Sequence, residues 1–303
     1  MSMVRPVPTW LAWVIGGLLA AGLSLLTGAW ILAYWATHPL RIPVPAAPPV
    51  DTAPYEETTF TSADGVPLSG WFFPRAHARA TIVLCHGHQF NRSQLIPVIR
   101  LLYDEPYQFL LFDFRRAGRS GGSVSGIGAV EWLDVIAAVD WLGQERRAAG
   151  KPIGAFGLSM GGAAVILAAA QDRRIAAVAT HGAYADLDRA VRQRCRFLLG
   201  MLGPLLYRPV RVFGSYWLPG NPEDTAPSRV VGNITPRPVL LLHGSHDPFV
   251  APEDVHILYR AAREPKRLVM LPHSWHVTVG ANDEERYRTE LRQFFRAALL
   301  DPR

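Results

Sequence analysis

From residue 56 onward, short apolar runs alternate with helical segments, and this alternation restricts the chain to few architectures. "ATIVLCHG", "QFLLFDFR", "IGAFGL", "IAAVATHG", "RPVLLLHG" and "KRLVMLP" read as buried strands. Between them, "AVEWLDVIAAVDWLGQERR" carries Trp132, Ile136, Val139 and Leu142 at helical spacing, and "GGAAVILAAAQ", "PEDVHILYRAAR" and "DEERYRTELRQFFRAALL" read as further helices. Strands that are apolar along their whole length must be covered on both faces. The series therefore predicts the α/β class, a mostly parallel sheet with helices on both sides. "YEETTFTSADGVPLSGWFFP" predicts a hairpin about Asp64-Gly65 that adds an antiparallel edge. "SQLIPVIRLLYDE" predicts a helix interrupted near Pro97.

Ahead of this series, residues 10–36 run without a charge, longer than the ~20 residues that cross a hydrocarbon core. Trp10 and Trp13 at one end and Trp30, Tyr34 and Trp35 at the other suit the two interfaces. The run exceeds the apolar stretch of a signal peptide and predicts one uncleaved transmembrane helix. Arg5 and the amino terminus face His38 and Arg41 across it, a near-balance that barely determines orientation; the globular part is expected outside the cytoplasm. Residues 37–54 are proline-rich and predict an extended, semi-rigid spacer holding the following domain off the membrane.

The 303 residues are 49% hydrophobic and 18% charged, enough for one large core. A net charge of +6 without a recognised binding module gives no reason to expect a nucleic-acid partner and fits proximity to anionic lipid. Cys85 and Cys195 stand far apart, which predicts neither a disulfide framework nor a metal site, and no cofactor motif is present. His86 and His88 in "HGHQFN" are a weak metal alternative, lacking further ligands.

Two stretches fit G-x-S-x-G, one around Ser120 and one around Ser159. Ser159 follows a strand and opens a helix, where a sharp turn lifts the hydroxyl into the crevice at the strand ends; Gly157 and Gly161 leave room for that turn. Ser120 leads into loop material. A serine needs a base for its proton and an acid to orient the base. Asp247 lies beyond one later strand, and His273 and His276 beyond the next. Glu253 and Asp254 open a helix, where its dipole accounts for them. Met160, first in the helix after Ser159, offers a backbone N–H to a developing oxyanion.

"TSADGVPLSGW", "CHGH", "DFRRAGRS", "GLSMGG", "HGSHDPFV" and "PHSWH" occur in an order that resembles the α/β-hydrolase family, particularly its membrane-anchored serine hydrolases, from Tyr55 to the C-terminus. The resemblance implies Ser159 as nucleophile, His276 as general base and then acid, and Asp247 as the carboxylate orienting His276. It also implies His88 as the second oxyanion donor through its backbone N–H, although a smaller residue is usual there. The expected organisation is a tail (1–9), a transmembrane helix (10–36), a linker (37–54) and a hydrolase domain (55–303) whose lid insertion covers 183–235.

Between Arg189 and Arg211 the lid holds six arginines and no acid, among apolar residues. Such a surface suits either lipid recruitment or plain solvation. Asn91 and Asn233 fit the glycosylation triplet. Three functions follow: a membrane-bound serine hydrolase of carboxylic esters or thioesters, acting on lipid-like or other small acyl substrates; a peptidase or amidase on the same fold; or a silent membrane-bound binding module.

Overall fold

Among the residues described by the computed structural model, 8–49, 54–218, 225–277 and 283–301, eight strands build one sheet. They are β1 (Glu56–Thr61), β2 (Pro67–Phe73), β3 (Ala80–Cys85), β4 (Tyr107–Phe112), β5 (Ile153–Leu158), β6 (Ile175–His181), β7 (Val239–Gly244) and β8 (Lys266–Leu271), in the order β1-β2-β4-β3-β5-β6-β7-β8. The β1–β2 hairpin pairs antiparallel with β4, and all later pairings are parallel. The helices are α1 (Thr9–Thr37), α2 (Ile96–Leu102), α3 (Trp132–Gln144), α4 (Met160–Gln171), α5 (Leu187–Leu199), α6 (Gly203–Trp217), α7 (Pro227–Val230), α8 (Pro252–Ala261) and α9 (Glu284–Phe295).

The period-two geometry of a strand sorts its side chains onto two faces. In β3, Val83 and Cys85 join α3, α4 and α8 in one core, while Ile82 and Leu84 join α2 and α9 in the other. The helix expected here is divided just ahead of Pro97, into a 3-10 turn (Arg92–Leu95) and α2; Pro97 sits in the first turn of α2, where the missing N–H has no partner to lose.

α1 has 29 residues and a mean hydropathy of 1.9 over its most apolar window, of which 6% is buried. At 1.5 Å per residue it is roughly 43 Å long, enough to cross a membrane. Arg5, used above for orientation, lies outside the described residues. Near its C-terminal end α1 is covered. Ala29 and Ala33 pack with Cys195 of α5 and Leu206, Tyr207 and Val210 of α6. Alanines at the contact let the helix backbones approach closely. Trp217 closes the seam, its ring 5.9 Å from Trp30, 5.7 Å from Tyr34 and 5.6 Å from His38.

Over 38–49 the proline-rich segment forms no helix or strand, and it follows the domain surface instead of standing off from it. An extended proline-rich chain leaves its carbonyls free as acceptors. Asn91 donates to the carbonyls of Ile42 and Pro43, both at 3.2 Å, and Arg100 to that of Pro49 at 2.6 Å. Arg41 in turn donates to the carbonyls of Gly118 and Ser120 in the loop after β4, and to that of Gly122 at 3.1 Å. Residues 50–53 lie outside the described residues. Asn91 itself is buried, and its side-chain oxygen accepts from Ser93 N–H at 2.9 Å. No glycan fits there, so that triplet is spurious, whereas Asn233 is exposed.

Candidate active site

The parallel register aligns the strand ends from which the site is built: Cys85 pairs with Gly157, Leu158 with His181, and His181 with Leu242. Ser159 stands between β5 and α4 at φ 52° and ψ −115°, in the left-handed region that a non-glycine residue rarely adopts. Its N–H donates to the His181 carbonyl at 2.8 Å, which fixes the turn against β6. The turn needs both glycines. A Cβ on Gly157 would lie 2.3 Å from the Gly161 backbone, and one on Gly161 would lie 2.3 Å from the Cys85 carbonyl oxygen.

Three side chains from separate strand ends meet above this turn. His276 Nε2 is 3.0 Å from Ser159 Oγ, and His276 Nδ1 is 2.6 Å from Asp247 Oδ2. A carboxylate only accepts, so Nδ1 carries the proton and Nε2 is free to accept from the serine hydroxyl. Asp247 Oδ1 accepts from the N–H groups of Phe249 and Val250 at 2.8 and 2.9 Å. Burial pushes the Asp247 carboxyl up, but the hydrogen bond and charge of His276 and the Val250 N–H outweigh it, leaving its pKa below the ordinary value. Gly182, at φ +66°, lies beside the pair; a Cβ there would be 3.4 Å from both Asp247 Oδ2 and His276 Nδ1.

The other polar side chains near the strand ends fall elsewhere. His273, the alternative to His276, is exposed, as is His246. His243 is buried at the end of β7 with Nε2 3.1 Å from the Val250 carbonyl. Ser120 is a structural serine: its hydroxyl donates to the Asp113 carbonyl at 2.5 Å and accepts from Ser69 N–H at 2.9 Å. Asp254 does more than face a helix dipole, since it accepts from Ala185 N–H at 2.8 Å and Arg189 Nε at 3.2 Å. It thereby ties the start of the cap to α8.

Both histidines of "HGHQFN" are committed to the fold. His86 donates from Nδ1 to the Gly87 carbonyl at 2.7 Å and accepts at Nε2 from Phe114 N–H at 3.0 Å. With both ring nitrogens used it has no electron pair for a metal, and the chelation alternative fails. His88 donates from Nε2 to the Ala36 carbonyl at 2.8 Å, joining the last turn of α1 to the loop after β3. Desolvation lowers the His88 pKa to about 4. The backbone N–H groups of Met160 and His88 have no protein acceptor among the described residues.

α5 and α6 cover the site, in the segment expected to be a lid; residues 219–224 of that segment lie outside the described residues. A cavity of about 90 Å³ holds Ser159 and His276 and is walled by α5, Val210, Phe249 and, from α1, Leu32 and Ala36. A larger cleft of about 520 Å³ does not contain Ser159 but shares Ala36, Ile127, Leu187, Val191 and Val210 with the first cavity. Sequence reasoning missed the contribution of α1, since nothing in an apolar span says which residues its last turn will face. It also missed Arg194, for which a signal exists. Leu187, Ala190, Val191, Arg194 and Cys195 follow one helical stripe, and all five line the catalytic cavity.

The family described as Hydrolase_4, serine aminopeptidase, S33, matches residues 76–229. The uncharacterized protein YfhR of Escherichia coli O157:H7 is 27% identical over 255 residues, 80% of this chain and 81% of that protein. The uncharacterized protein YqkD of Bacillus subtilis is 27% identical over 253 residues, 79% of each. Among solved structures, the Pyrococcus furiosus esterase Pf2001 is similar with a TM-score of 0.72 at 25% identity, covering 87% of this chain and 98% of that one. The esterase domain of a Rhodothermus marinus protein reaches 0.59 at 25% identity, covering 81% and 100%. The parallel sheet, the strained strand-to-helix turn and the family match over half the chain lead to one conclusion: this protein belongs to the serine aminopeptidase S33 group of α/β-hydrolases, and it is a hydrolase.

Proposed function

We propose that the protein is a membrane-anchored serine hydrolase that cleaves carboxylic esters or thioesters of lipid-like acyl groups. The hydrogen-bonded series Ser159, His276, Asp247 carries this reading. Ser159 Oγ attacks the acyl carbonyl as its proton passes to His276 Nε2, while Asp247 holds the imidazole in position and balances its new charge. The N–H groups of Met160 and His88 receive the oxyanion. Collapse of the tetrahedral species breaks the bond to the leaving alcohol or thiol, which takes the proton from His276 and leaves an acyl-Ser159. Water then gives a proton to His276 and attacks the acyl carbon. The carboxylic acid departs as Ser159 recovers its proton.

Similarity to two proteins named as esterases supports ester chemistry. The family description names an aminopeptidase, so amide cleavage is the second reading. Such an enzyme needs an anion for the substrate's terminal ammonium. The described residues lining the catalytic cavity include Arg194 and no aspartate or glutamate; Asp186 and Asp188 of the adjoining cleft are taken up by the Arg189 N–H and by Arg192, Arg211 and Tyr207, which disfavours that substrate.

The lipid-like acyl group is supported by the aliphatic residues of the larger cleft, among them Ile127, Val191, Val210 and Leu218, which line it together with Asp186, Asp188, Arg211 and Arg229, and by the tip of the cap. Phe197, Leu198, Met201, Leu202 and Leu205 are all exposed there, Met201 to 98%, close to an α1 that is itself apolar. The packing of α1 on α6 and the His88 bond to Ala36 support retention of α1 as an anchor, because cleavage would strip a wall from the cavity. The test is turnover of p-nitrophenyl esters from acetyl to dodecanoyl by the full-length protein, with and without vesicles. The reading expects preference for longer chains, stimulation by vesicles, and loss of all turnover in Ser159→Ala. Equal rates for Ser159→Ala and wild type would end it.

A further inference from the structure

The six arginines between Arg189 and Arg211 have different surroundings. Arg189 reaches Asp254 at 3.2 Å, and Arg192 and Arg211 reach Asp188 at 3.5 and 3.0 Å. Arg196 and Arg208 are exposed to solvent. Arg194 is half-buried on the face of α5 that lines the catalytic cavity with Ser159. Its guanidinium lies 4.3 Å from the centre of the Phe249 ring, and that ring lies 5.2 Å from the His276 ring.

Among the described residues Arg194 has no hydrogen-bond acceptor and no ion-pair partner. The nearby carboxylate of Asp247 is committed, with Oδ2 on His276 and Oδ1 on two backbone N–H groups. A cation withdrawn from water without an anion is costly, and its retention beside a reactive centre asks for a ligand that supplies the charge. The contact with Phe249 sets the guanidinium carbon over the ring and takes up no N–H donor in a hydrogen bond. Its in-plane N–H donors remain free in the forked arrangement that matches a carboxylate or phosphate.

We propose that Arg194 binds an anionic group of the substrate, a carboxylate or phosphate close to the scissile carbonyl, so that the preferred ester is an acidic amphiphile. This rests on the reading of Ser159 as the ester-cleaving nucleophile. The anion sits on either the acyl or the alcohol side of the ester, and the same guanidinium serves both.

The test uses the full-length protein in detergent with two pairs of esters that differ in charge. On the acyl side the pair is the p-nitrophenyl monoester of glutaric acid and its methyl ester; on the alcohol side it is 3-butyryloxybenzoate and its methyl ester. Wild type should prefer the anionic member of one pair, and that pair identifies the side. Arg194→Gln should lower kcat/KM for that member about 10- to 100-fold, mainly through KM, the range expected for hydrogen bonds to a charged group. The neutral member should change less than about threefold, and Arg194→Lys should restore part of the loss. If Arg194 only props Phe249 against His276, both members fall equally, and that result overturns the proposal. Indifference of wild type to charge in both pairs also overturns it.

Binding without chemistry separates this proposal from the reading it rests on. Hexylphosphonate should raise the Tm of wild type but not of Arg194→Gln, and hexanol should affect both alike. A Tm rise without fluorophosphonate labelling of Ser159 would refute the nucleophile and keep the anion site. Labelling of Ser159 without a Tm rise would refute the anion site and keep the nucleophile.

Discussion

The sheet ends and the cap are built on different principles. At the ends of β5, β6 and β7 the backbone does the fixing: the Ser159 N–H is tied to β6, Asp247 is held by two N–H groups, and two glycines allow backbone-to-backbone contact. In the cap, α5 and α6 meet α1 through side chains, in a cluster apart from the two cores that cover the sheet. The first arrangement tolerates little change and would hold one chemistry. The second can vary in shape and charge while the fold persists, and selectivity belongs there.

Substitutions in the two regions should therefore fail differently, and the largest effect belongs at the turn. Ser159→Gly should remove turnover, by about 10⁴-fold or more. The same change should raise stability by about 1 kcal/mol, because glycine adopts a positive φ without strain. A variant that loses activity and also Tm would show that the turn is not where strain is stored. Asp247→Asn should lower kcat by about 10⁴-fold, by presenting the wrong tautomer of His276. A loss confined to KM would contradict the orienting role.

In the cap the effects should be smaller and selective. Ala36→Phe fills the wall shared by the two cavities, and should lower kcat/KM for a dodecanoyl ester about 10- to 100-fold. Acetyl ester turnover should stay within about threefold of wild type. Equal losses for both chain lengths would mean that α1 supports the site without shaping it. Met201→Asp, at an almost fully exposed position, should lower the stimulation of dodecanoyl ester turnover by anionic vesicles about fivefold without moving Tm. Unchanged stimulation would remove the tip from the lipid-facing surface.

The smallest effect concerns the joint between the regions. The His88 pKa is lowered to about 4, chiefly by desolvation, whereas an unfolded histidine titrates near 6.5. Between those values the unfolded chain binds a proton that the native chain does not. Stability conferred by neutral His88 is therefore full above about pH 6.5 and falls as pH drops towards 4. His88→Gln should flatten the dependence of Tm on pH in that window. An unchanged slope would place the His88 proton elsewhere.

How much of this was legible in the sequence follows from the same division. The strands were readable because fully covered strands are apolar throughout, and the turn at Ser159 because close backbone approach demands glycine at 157 and 161. The break near Pro97 was readable because proline is excluded from the middle of a helix but suits its first turn. The docking of residues 38–49 and the burial of Asn91 depend on which loop carbonyls and donors face each other, and no local pattern encodes that. For the same reason the sequence did not indicate that Leu32 and Ala36 border the catalytic cavity. Arg194 was within reach, since a charged residue on an otherwise apolar helical stripe is already an anomaly.

The account turns on Ser159 becoming acylated. Mixing the full-length protein with excess p-nitrophenyl hexanoate, quenching in acid during turnover and mapping the peptides by mass should find hexanoyl on the Ser159 peptide of wild type and on no peptide of Ser159→Ala. Turnover accompanied by hexanoyl on another residue, with Ser159 unmodified, would contradict it.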